Sequence, residues 1–397
     1  MPAFPLEFAF FAATLAGVAL WHKRALTVAL TGLAVTLAYK LALTGFAEGP
    51  GLAGLGAHAV HEWVTLANLM LLLVGFAVLA RHFELSNLPH AIPHFLPRGW
   101  PGGVALLALV FVLSTILDNI AAAVIGGVAA RHVYRDKVGV AFVASIVGAA
   151  NAGGAGSVVG DTTTTMMWLK GISPLVLLWG FLPATVSLAV LGVIGAVRQH
   201  RLAPAERHTG PRLAIDWLRV LVVLAVLVAI IGANVTVNVM EPELGELLPV
   251  LGIAIWIALL LLLWVRAPDW SVTPKAAKGA LFLIGLVALA SLMPVAALPA
   301  PSWITSLGLG FLSAVFDNIP LTALALGQGG YDWPMLAYCV GFGGTMIWFG
   351  SSAGVAITDQ FPEGRSVAAW LKEAWHIPLA YLAGFGVLML VRGWSPG

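Results

Sequence analysis

The sequence predicts an all-α polytopic membrane protein that consists of two inverted copies of one unit. Sixty per cent of its 397 residues are hydrophobic and 10% are charged, a balance that soluble domains do not show. Apolar stretches recur from end to end, and several supply the ~20 residues that a helix needs to cross the hydrocarbon. Two short polar motifs recur about half a chain apart. The composition therefore predicts the membrane, and the recurrence predicts the repeat.

The recurring motif is an Asp-Asn pair set within an apolar run. Asp118-Asn119 and Asp317-Asn318 are separated by about half of the 397 residues. A glycine pair, followed after five residues by another glycine, comes after each motif: Gly153-Gly154 with Gly160, and Gly343-Gly344 with Gly350. Glycines permit backbone conformations that break a helix. The sequence thus predicts a turn and a broken helix in each copy.

Ten apolar stretches predict membrane helices. They cover residues 5–21, 25–45, 64–80, 138–169, 174–197, 217–235, 246–265, 279–297, 334–360 and 376–392. Most Lys and Arg residues fall in the loops 22–24, 81–98, 131–137, 198–212, 266–278 and 363–373. Acids without Lys or Arg mark the loops 46–63, 236–246 and 329–333. By the positive-inside rule the basic loops are cytoplasmic, which places both termini outside.

Two further apolar segments, 102–130 and 303–328, do not fit as simple crossings. Arg98 and Arg131 flank the first segment, so both of its ends are predicted to be cytoplasmic. It must then enter and return as a re-entrant hairpin with Asp118-Asn119 at the turn. The second segment has non-basic flanks and is predicted to enter from outside. Non-helical backbone at that depth is tolerated only inside protein or along a wet cavity.

These elements divide the chain into two repeats, 1–198 and 199–397. Each repeat has three helices, a hairpin, a broken helix and a last helix, and the two repeats have opposite orientation. This is the inverted-repeat pattern of secondary transporters, whose site lies near the midplane between the repeats. A plain helical bundle with two kinked helices is the alternative.

Three carboxylates are the strongest candidates for function, because Asp118, Asp161 and Asp317 lie deep in apolar sequence without Lys or Arg nearby. A lone charge in a bilayer is costly, so it requires a partner or a role. The natural partners here are a metal cation, a proton, or each in turn, since Na⁺ prefers oxygen ligands. The alternative is that each acid merely caps a half-helix. Neighbouring amides and hydroxyls complete the candidate set: Asn119, Asn318, Ser114, Thr115, Ser157, Thr162, Thr163, Thr164, Thr165, Ser313, Thr322, Ser351 and Ser352.

Three segments resemble the signatures of the NhaD-type sodium/proton antiporters, across the whole chain. They are Asn151–Asp161 with its threonine run and Met166-Met167-Trp168, the segment Ser313–Thr322, and Gly350–Gly354. The larger ion transporter superfamily of this family also contains arsenite permeases and citrate or dicarboxylate carriers. The first Asp-Asn pair departs from the family, because Ile120-Ala121-Ala122-Ala123 stands where threonines are usual.

The resemblance implies export of Na⁺ or Li⁺ in exchange for protons, without a cofactor. It implies a multi-pass protein of the bacterial inner membrane, with the lipid bilayer and monovalent cations as partners, no nucleic acid, and a homodimer. The functional positions that it implies are Asp118, Asn119, Asn151, Asp161, Thr163, Thr164, Ser313, Asn318 and Ser351, with Glu62 as an additional match.

Three functions remain open from the sequence: a cation/proton antiporter, a Na⁺-coupled importer of di- or tricarboxylates, and an arsenite exporter. A carboxylate carrier needs neutral tips and donors for its anion, whereas two negative tips without deep Lys or Arg repel an anion. Antiport is therefore the prediction. The chain is not predicted to be an enzyme, because no nucleotide loop or nucleophile–base arrangement is present. Its histidines lack the spacing of a transition-metal site.

Overall fold

The computed structural model describes residues 5–21, 24–91, 96–205, 214–240, 244, 247–261 and 264–397. Within these ranges the regular structure is helical, apart from one isolated bridge between Phe46 and Gly49. Parts of four predicted loops lie outside the described residues. They include Lys23 and the predicted outer acids Glu241, Glu243 and Glu246.

We number the main helices in chain order. They are α1 (Leu6–Leu20), α2 (Ala25–Tyr39), α3 (Gly51–Glu84), α4 (Trp100–Ser114), α5 (Asn119–Val133), α6 (Val140–Gly154), α7 (Thr162–Leu169), α8 (Phe181–Leu202), α9 (Trp217–Met240), α10 (Val250–Leu261), α11 (Thr273–Ser291), α12 (Trp303–Ser313), α13 (Asn318–Gln328), α14 (Trp333–Gly343), α15 (Ser352–Gln360), α16 (Val367–Glu373) and α17 (His376–Arg392).

The predicted class, an all-helical polytopic membrane protein, is confirmed. In the part of the chain that the structure describes, four helical segments are long and apolar enough to cross a membrane: Ala25–Thr44, Gly51–Glu84, Pro174–Leu202 and Trp270–Ser291. A fifth span is formed if α16 and α17, bent by 58°, count as one. Shorter apolar helices include α4, α5 and α12 of the predicted hairpins and α6 of the first broken helix. The ten-helix topology and the opposite orientation of the repeats stay predictions.

The chain forms two compact units, and each unit draws on both predicted repeats. The first, here called the helical unit, contains residues 1–86 and 216–298. The second, here called the hairpin unit, contains residues 87–215 and 299–397. The first three predicted helices of both repeats thus fall in one unit, and the hairpins and broken helices of both repeats fall in the other. The division into 1–198 and 199–397 is one along the sequence and stays a prediction.

The helical unit is built around α3, which packs against α10 and α11. Gly75 of α3 makes this packing close, because a Cβ there would lie 2.6 Å from the Ile255 side chain. Polar side chains also fasten α3 to α10: Asn68 Oδ1 accepts from the Gly252 amide at 2.9 Å, and Trp256 Nε1 donates to the Leu71 carbonyl at 3.0 Å. These bonds satisfy polar groups that could not reach water inside a membrane.

Large apolar side chains remain exposed on α9 of this unit. The side chains of Leu221, Leu224 and Val228 are 60%, 44% and 69% exposed, and their spacing of three and four residues places them on one helix face. A continuous exposed apolar face is unfavourable in water. It is the expected surface of a helix in contact with lipid.

The two broken helices form the core of the hairpin unit. Every residue of α6 after Val140 is buried, as is every residue of α14 after Trp333. Helices α4, α8 and α5 pack around α6, and α12 packs on α14. Placing both breaks at the centre of the unit surrounds their freed backbone groups with protein, as the membrane requires.

Two predicted loops are helical instead. The segment 46–63 was predicted as a loop, but α3 begins at Gly51, after the extended residue Pro50. Leucine and alanine dominate residues 52–59, and their helix propensity outweighs the glycines there. The predicted loop 363–373 contains α16, which the Ser366 side chain caps by accepting from the Ala369 amide. In both cases glycines and a few charged residues were mistaken for a lack of helix.

Candidate cation site

Two helices joined by a short turn are found at each predicted hairpin, and both predicted breaks are present, in the hairpin unit; re-entry of the hairpins into a membrane stays a prediction. Helices α4 and α5 are joined through residues 115–118, and α12 and α13 through residues 314–317. The first broken helix stops at Gly154 and resumes at Thr162, and the second stops at Gly343 and resumes at Ser352. The predicted turn at Asp118-Asn119 is confirmed, with Asn119 as the first residue of α5.

Each hairpin is fastened to the broken helix of its own repeat by one serine. Ser114 Oγ donates to the Ala150 carbonyl at 2.6 Å, and Ser313 Oγ donates to the Val340 carbonyl at 2.7 Å. Both serines are fully buried. The two bonds join corresponding positions of the two repeats, so the repeat that the sequence shows is also present in the hydrogen bonding.

The glycine signatures are explained by close backbone contact between hairpin and broken helix. A Cβ on Gly153 would lie 2.2 Å from the Phe111 carbonyl oxygen, and one on Gly343 would lie 2.1 Å from that of Gly310. At Gly160 the distance to the Ser114 carbonyl oxygen would be 1.9 Å. No side chain fits at such distances, so glycine is required here for contact and not only for flexibility.

Four half-helices begin in this region, and three of their four N-caps are aspartates. Asp118 Oδ1 accepts from the Ala121 amide at 2.6 Å, Asp161 Oδ1 from Thr163 at 3.2 Å, and Asp317 Oδ1 from Ile319 at 3.1 Å. The fourth N-cap is Ser351. The capping role considered from the sequence is therefore real for all three acids. A helix N-terminus also stabilises negative charge, so each cap can hold an ionised carboxylate.

Asp161 is the most buried of the three acids and belongs to a small polar cluster. Its side chain is 2% exposed, and Asn318 and Thr163 beside it are 4% and 0% exposed. Asn318 Nδ2 lies 3.3 and 3.4 Å from the two carboxylate oxygens of Asp161 and 3.1 Å from Thr163 Oγ1. One amide nitrogen is thus surrounded by three oxygens. We call these three residues the acidic cluster.

A second cluster, the amide cluster, contains Asn119, Asn151, Thr345 and Ser351. Asn119 Nδ2 donates to Asn151 Oδ1 at 3.1 Å. Asn151 Nδ2 donates to Thr345 Oγ1 at 2.9 Å and to Ser351 Oγ at 3.2 Å. This cluster carries no formal charge, and it joins the first hairpin to both broken helices.

The two clusters occupy corresponding places in the repeats but differ in chemistry. Asp161 corresponds to Ser351, and Asn151 corresponds to Gly341. Gly341 faces the carboxylate, because a Cβ there would lie 2.8 Å from Asp161 Oδ2. One half-site therefore pairs an acid with a glycine, and the other pairs a serine with an amide. Of these four corresponding residues, Asp161 is the one that carries a negative charge.

Asp317 lies beside the acidic cluster through its neighbour in sequence, Asn318. Its Oδ2 accepts from Ser352 Oγ at 3.3 Å. Asp118 precedes Asn119 in the same way, so it adjoins the amide cluster. Both acids are half-buried. The structure thus brings Asp161 and Asp317 to one cluster and Asp118 to the other.

The remaining candidate hydroxyls are engaged by backbone carbonyls. Thr164 Oγ1 donates to the Ser157 and Asp161 carbonyls at 2.5 and 2.8 Å. Ser157 Oγ donates to the Thr115 carbonyl at 2.7 Å, and Thr322 Oγ1 to the Asn318 carbonyl at 2.9 Å. These residues hold the break and the hairpin in place. Their role as cation ligands stays a prediction.

Glu62 lies in the helical unit, on α3. Its Oε1 lies 3.9 Å from His61 Nε2. Within the described ranges, no group of three His, Cys, Asp or Glu side chains is arranged to hold a metal ion. A cation in the hairpin unit would instead be held by amide and hydroxyl oxygens beside a carboxylate.

Sequence reasoning missed three residues of the site. Thr345 accepts from Asn151, and its carbonyl accepts from Trp370 Nε1 at 3.1 Å. Trp370 is fully buried and connects α16 to the second break. Gly341 borders Asp161. Thr345 directly follows the glycine pair Gly343-Gly344, and its hydroxyl lies within a predicted break. It could therefore have been identified as a candidate site residue from the sequence. Trp370 in a predicted loop and Gly341 in an apolar helix carried none.

Comparison with known proteins agrees with this chemistry. The chain is 31% identical to sodium/proton antiporter 1 of Arabidopsis thaliana over 291 residues, which are 62% of this chain and 48% of that relative. It is 29% identical to sodium/proton antiporter 2 of the same plant over 286 residues, which are 62% of this chain and 66% of that relative. The chain is similar to sodium/proton antiporters. No family model matches the sequence.

The similarity covers only part of each relative. The matched region spans about half the length of the first relative and about two thirds of the second. The cation, the transport activity of the whole protein and its assembly are matters for proposal.

Proposed function

We propose that this protein is a secondary active transporter that exchanges Na⁺ or Li⁺ for protons across a membrane, with Asp161 as the exchanging carboxylate. The observation that carries the proposal is the acidic cluster. Three oxygens, two from Asp161 and one from Thr163, surround the amide nitrogen of Asn318 in a buried region of the hairpin unit. Oxygen clusters of this kind suit hard cations.

The amide nitrogen of Asn318 lies between these three oxygens, at the position that a cation would favour. An Asn side chain presents a donor at one end and an acceptor at the other. Rotation of this amide would replace Nδ2 by Oδ1 and add a fourth oxygen to the cluster. The bound cation would then supply positive charge next to the Asp161 carboxylate. In the absence of the cation, the NH2 group of Asn318 supplies a partial positive charge there. Asn318 thereby distinguishes the cation-loaded cluster from the cation-free one.

A proton and a cation compete for the same carboxylate in this arrangement. Among the described residues no Lys or Arg forms an ion pair with Asp161 or Asp317, so neither acid has a permanent counter-charge. A buried carboxylate without a counter-charge is unfavourable unless it binds a cation or a proton. Alternating occupancy by the two is the basis of exchange.

The same charge distribution disfavours an organic anion as the substrate. A carboxylate substrate would require donors or cations at the tips of the hairpins. Asp118 and Asp317 cap those tips instead, and like charges repel strongly in a low dielectric. A sodium-coupled carboxylate carrier is therefore the weaker candidate, and an arsenite exporter has no feature of the site in its favour.

For a bacterial cell we place the protein in the inner membrane, with both termini outside and a homodimer as the assembly. The positive-inside distribution supports the orientation. The Lys and Arg residues concentrate in alternate loops, while the intervening loops carry acids. The homodimer and the membrane rest on the resemblance to the antiporter family.

Ion-driven proton movement in proteoliposomes tests the proposal. Addition of Na⁺ or Li⁺ should release protons from wild-type vesicles with an imposed pH gradient. Asp161→Asn keeps a capping side chain but loses the charge, so this flux should fall by at least about a hundredfold, as for loss of an essential group. Asp136→Asn is the matched control, because Asp136 is a surface acid of the same unit with 71% of its side chain exposed.

A thermal-shift measurement separates antiport from carboxylate transport. A ligand that binds only the native state stabilises it by about 2.7 kcal/mol at a hundredfold excess over its Kd. Na⁺ or Li⁺ should raise the melting temperature, and more at about pH 8.5 than at about pH 6, because protons compete for the cation's oxygens. Citrate and succinate should add nothing. A saturable shift with either anion, or normal flux in Asp161→Asn, would exclude the proposed exchange at Asp161.

A further inference from the structure

The helical unit contains a polar cavity that the transport site does not use. It has a volume of about 600 Å³ and lies where the start of α1, the end of α2, the start of α3 and the end of α11 come together. Side chains of both charges line it, among them Glu7, Lys40 and His58. Cavities that bind ligands typically have this size and a few converging polar groups.

Two of the charged side chains in this cavity are buried without a partner. Glu7 is 5% exposed and Lys40 is 8% exposed. Within the described residues neither takes part in an ion pair or a hydrogen bond. The Lys40 ammonium lies over the Phe46 ring, 5.8 Å from its centroid. Buried charges are normally paired, since an unpaired one is strongly destabilising. Glu7 and Lys40 therefore line the cavity without a counter-charge among the described residues.

The neighbouring residues His58 and Glu48 cannot serve as partners for these two charges, because they are hydrogen-bonded to each other. His58 Nδ1 lies 3.0 Å from Glu48 Oε1, and His58 Nε2 lies 3.0 Å from Ser291 Oγ. Burial raises the pKa of Glu48, but the hydrogen bond with His58, a backbone hydrogen bond and the charges of His58 and His61 together outweigh burial and leave that pKa below its ordinary value. Glu48 is thus already paired with His58. Of the charged residues that line the described cavity, Glu7 and Lys40 remain for a ligand.

The backbone at Lys40 supports a binding role. Residues Lys40–Thr44 form a π-helical turn that continues α2. Such turns are rare and occur frequently at functional sites. The turn places Lys40 and Thr44 on the cavity wall together with Phe46. The energetically unfavourable π-helical turn thus begins at Lys40, the lysine that lacks a described counter-charge.

An apolar groove adjoins the cavity along the same two helices. It has a volume of about 730 Å³ and is lined mainly by apolar residues of α1 and α2, including Phe10, Leu20 and Val28. Phe10 of the groove contacts Tyr39 of the cavity edge to face, with ring centroids 5.3 Å apart. A molecule with a polar head and an apolar tail could occupy both spaces at once.

We propose that this cavity binds the headgroup of an ethanolamine phospholipid, with its ammonium on Glu7, its phosphate on Lys40 and an acyl chain in the α1–α2 groove. A zwitterion satisfies both unpartnered charges, whereas an anionic or a cationic ligand satisfies one and leaves the other buried. The primary ammonium of ethanolamine donates hydrogen bonds to a carboxylate. The quaternary ammonium of choline has no hydrogen to donate, so the site should prefer ethanolamine to choline lipids.

Native mass spectrometry of the full-length protein tests this assignment. The delipidated protein in detergent is mixed with phosphatidylethanolamine, phosphatidylcholine and phosphatidylglycerol of identical acyl chains. Wild-type protein should retain phosphatidylethanolamine about tenfold more strongly than the other two, as expected for one charge-assisted hydrogen bond. Glu7→Gln and Lys40→Met should each remove that preference. Lys278→Met is the matched control, because Lys278 is an exposed lysine of the same unit and should leave the preference unchanged.

Each other outcome would overturn the proposal. Equal retention of the three lipids by the wild type would do so whether or not the variants fold. An unchanged preference in both well-folded variants, judged by size-exclusion profile, would also do so. Displacement of the lipid by millimolar O-phosphoethanolamine would assign the cavity to a soluble zwitterion. A lipid-free wild-type dimer that the two variants convert to monomer would assign the surface to a second copy of the chain.

Discussion

Replacing Gly341 with alanine tests whether Asp161 binds the transported cation through the oxygen that faces α14. The new Cβ would lie 2.8 Å from Asp161 Oδ2, whereas ordinary contacts begin at 3.4 Å. The methyl group must therefore displace the carboxylate by about 0.6 Å (3.4 minus 2.8) or push α14 away from it. Because α14 is buried on all sides, we expect the carboxylate to move.

The size of the effect is set by the packing. Overpacking a buried site costs about 1–3 kcal/mol, which corresponds to a change of about 5- to 150-fold in an equilibrium constant. Alanine also favours a helix over glycine by about 1 kcal/mol. This offsets part of the loss in stability but none of the loss at the binding site. The melting temperature without Na⁺ should thus change little, while the Na⁺ concentration for half-maximal flux should rise within that range.

Proteoliposome flux at varied Na⁺ and Li⁺ measures this effect. Li⁺ is smaller than Na⁺ and should be less affected by the narrower space. Gly192→Ala is the matched control, since Gly192 is a helical glycine of the same unit with no atom within 4 Å of a Cβ placed there. If Gly341→Ala shifts half-maximal Na⁺ by less than about twofold, the usual error of such comparisons, then Asp161 Oδ2 does not bind the cation.

Three further outcomes are expected. Asp317→Asn retains an N-cap but removes the second carboxylate next to the acidic cluster, so proton flux should be lost at an unchanged melting temperature; wild-type flux would make Asp317 a structural cap. Trp370→Phe removes the indole donor to the second break and should raise half-maximal Na⁺ several-fold, by about 1 kcal/mol, while Trp375→Phe, at a position 52% exposed, should not. Single cysteines at positions 98 and 131, in a cysteine-free background, should both label from the cytoplasm; labelling from opposite sides would rule out the re-entrant hairpin.

The hairpins and their acids could be predicted from sequence because the signals there are local. An Asp-Asn pair in an apolar run is both a turn and an N-cap, and the structure has Asp118 and Asp317 as N-caps. The predicted segment 303–328 matches the outer ends of α12 and α13. The spacing of the glycines similarly predicted both breaks. Local backbone chemistry was sufficient for these elements.

The contacts that build the site could not be predicted, because they join residues that are far apart in sequence. Asn318 meets Asp161 across the two repeats, as Asn151 meets Ser351. No local pattern specifies which hairpin tip faces which N-cap. The helical start of α3 at Gly51 was missed for another reason: glycines and the acids Glu48 and Glu62 led the first turns of this long helix to be assigned to a loop. Burial of Trp370 depends on how α16 packs, which its seven residues do not determine.

The difference between the clusters has a physical reason in the cost of buried charge. Duplication would give two equivalent sites if every residue were retained. A carboxylate at both N-caps would place two negative charges within one buried region, where like charges are poorly screened. Here the second N-cap is Ser351, a neutral acceptor for the Asn151 amide. At the corresponding place beside Asp161 there is no such amide, because Gly341 has no side chain, and Asp161 Oδ2 is approached instead by the Asn318 amide at 3.4 Å. In the proposed exchange a cation therefore competes with one amide, that of Asn318, at the acidic cluster, while the amide cluster satisfies its own hydrogen bonds. The two repeats thus keep corresponding hairpin ties at Ser114 and Ser313, whereas the proposed ion binding is concentrated at one carboxylate, Asp161.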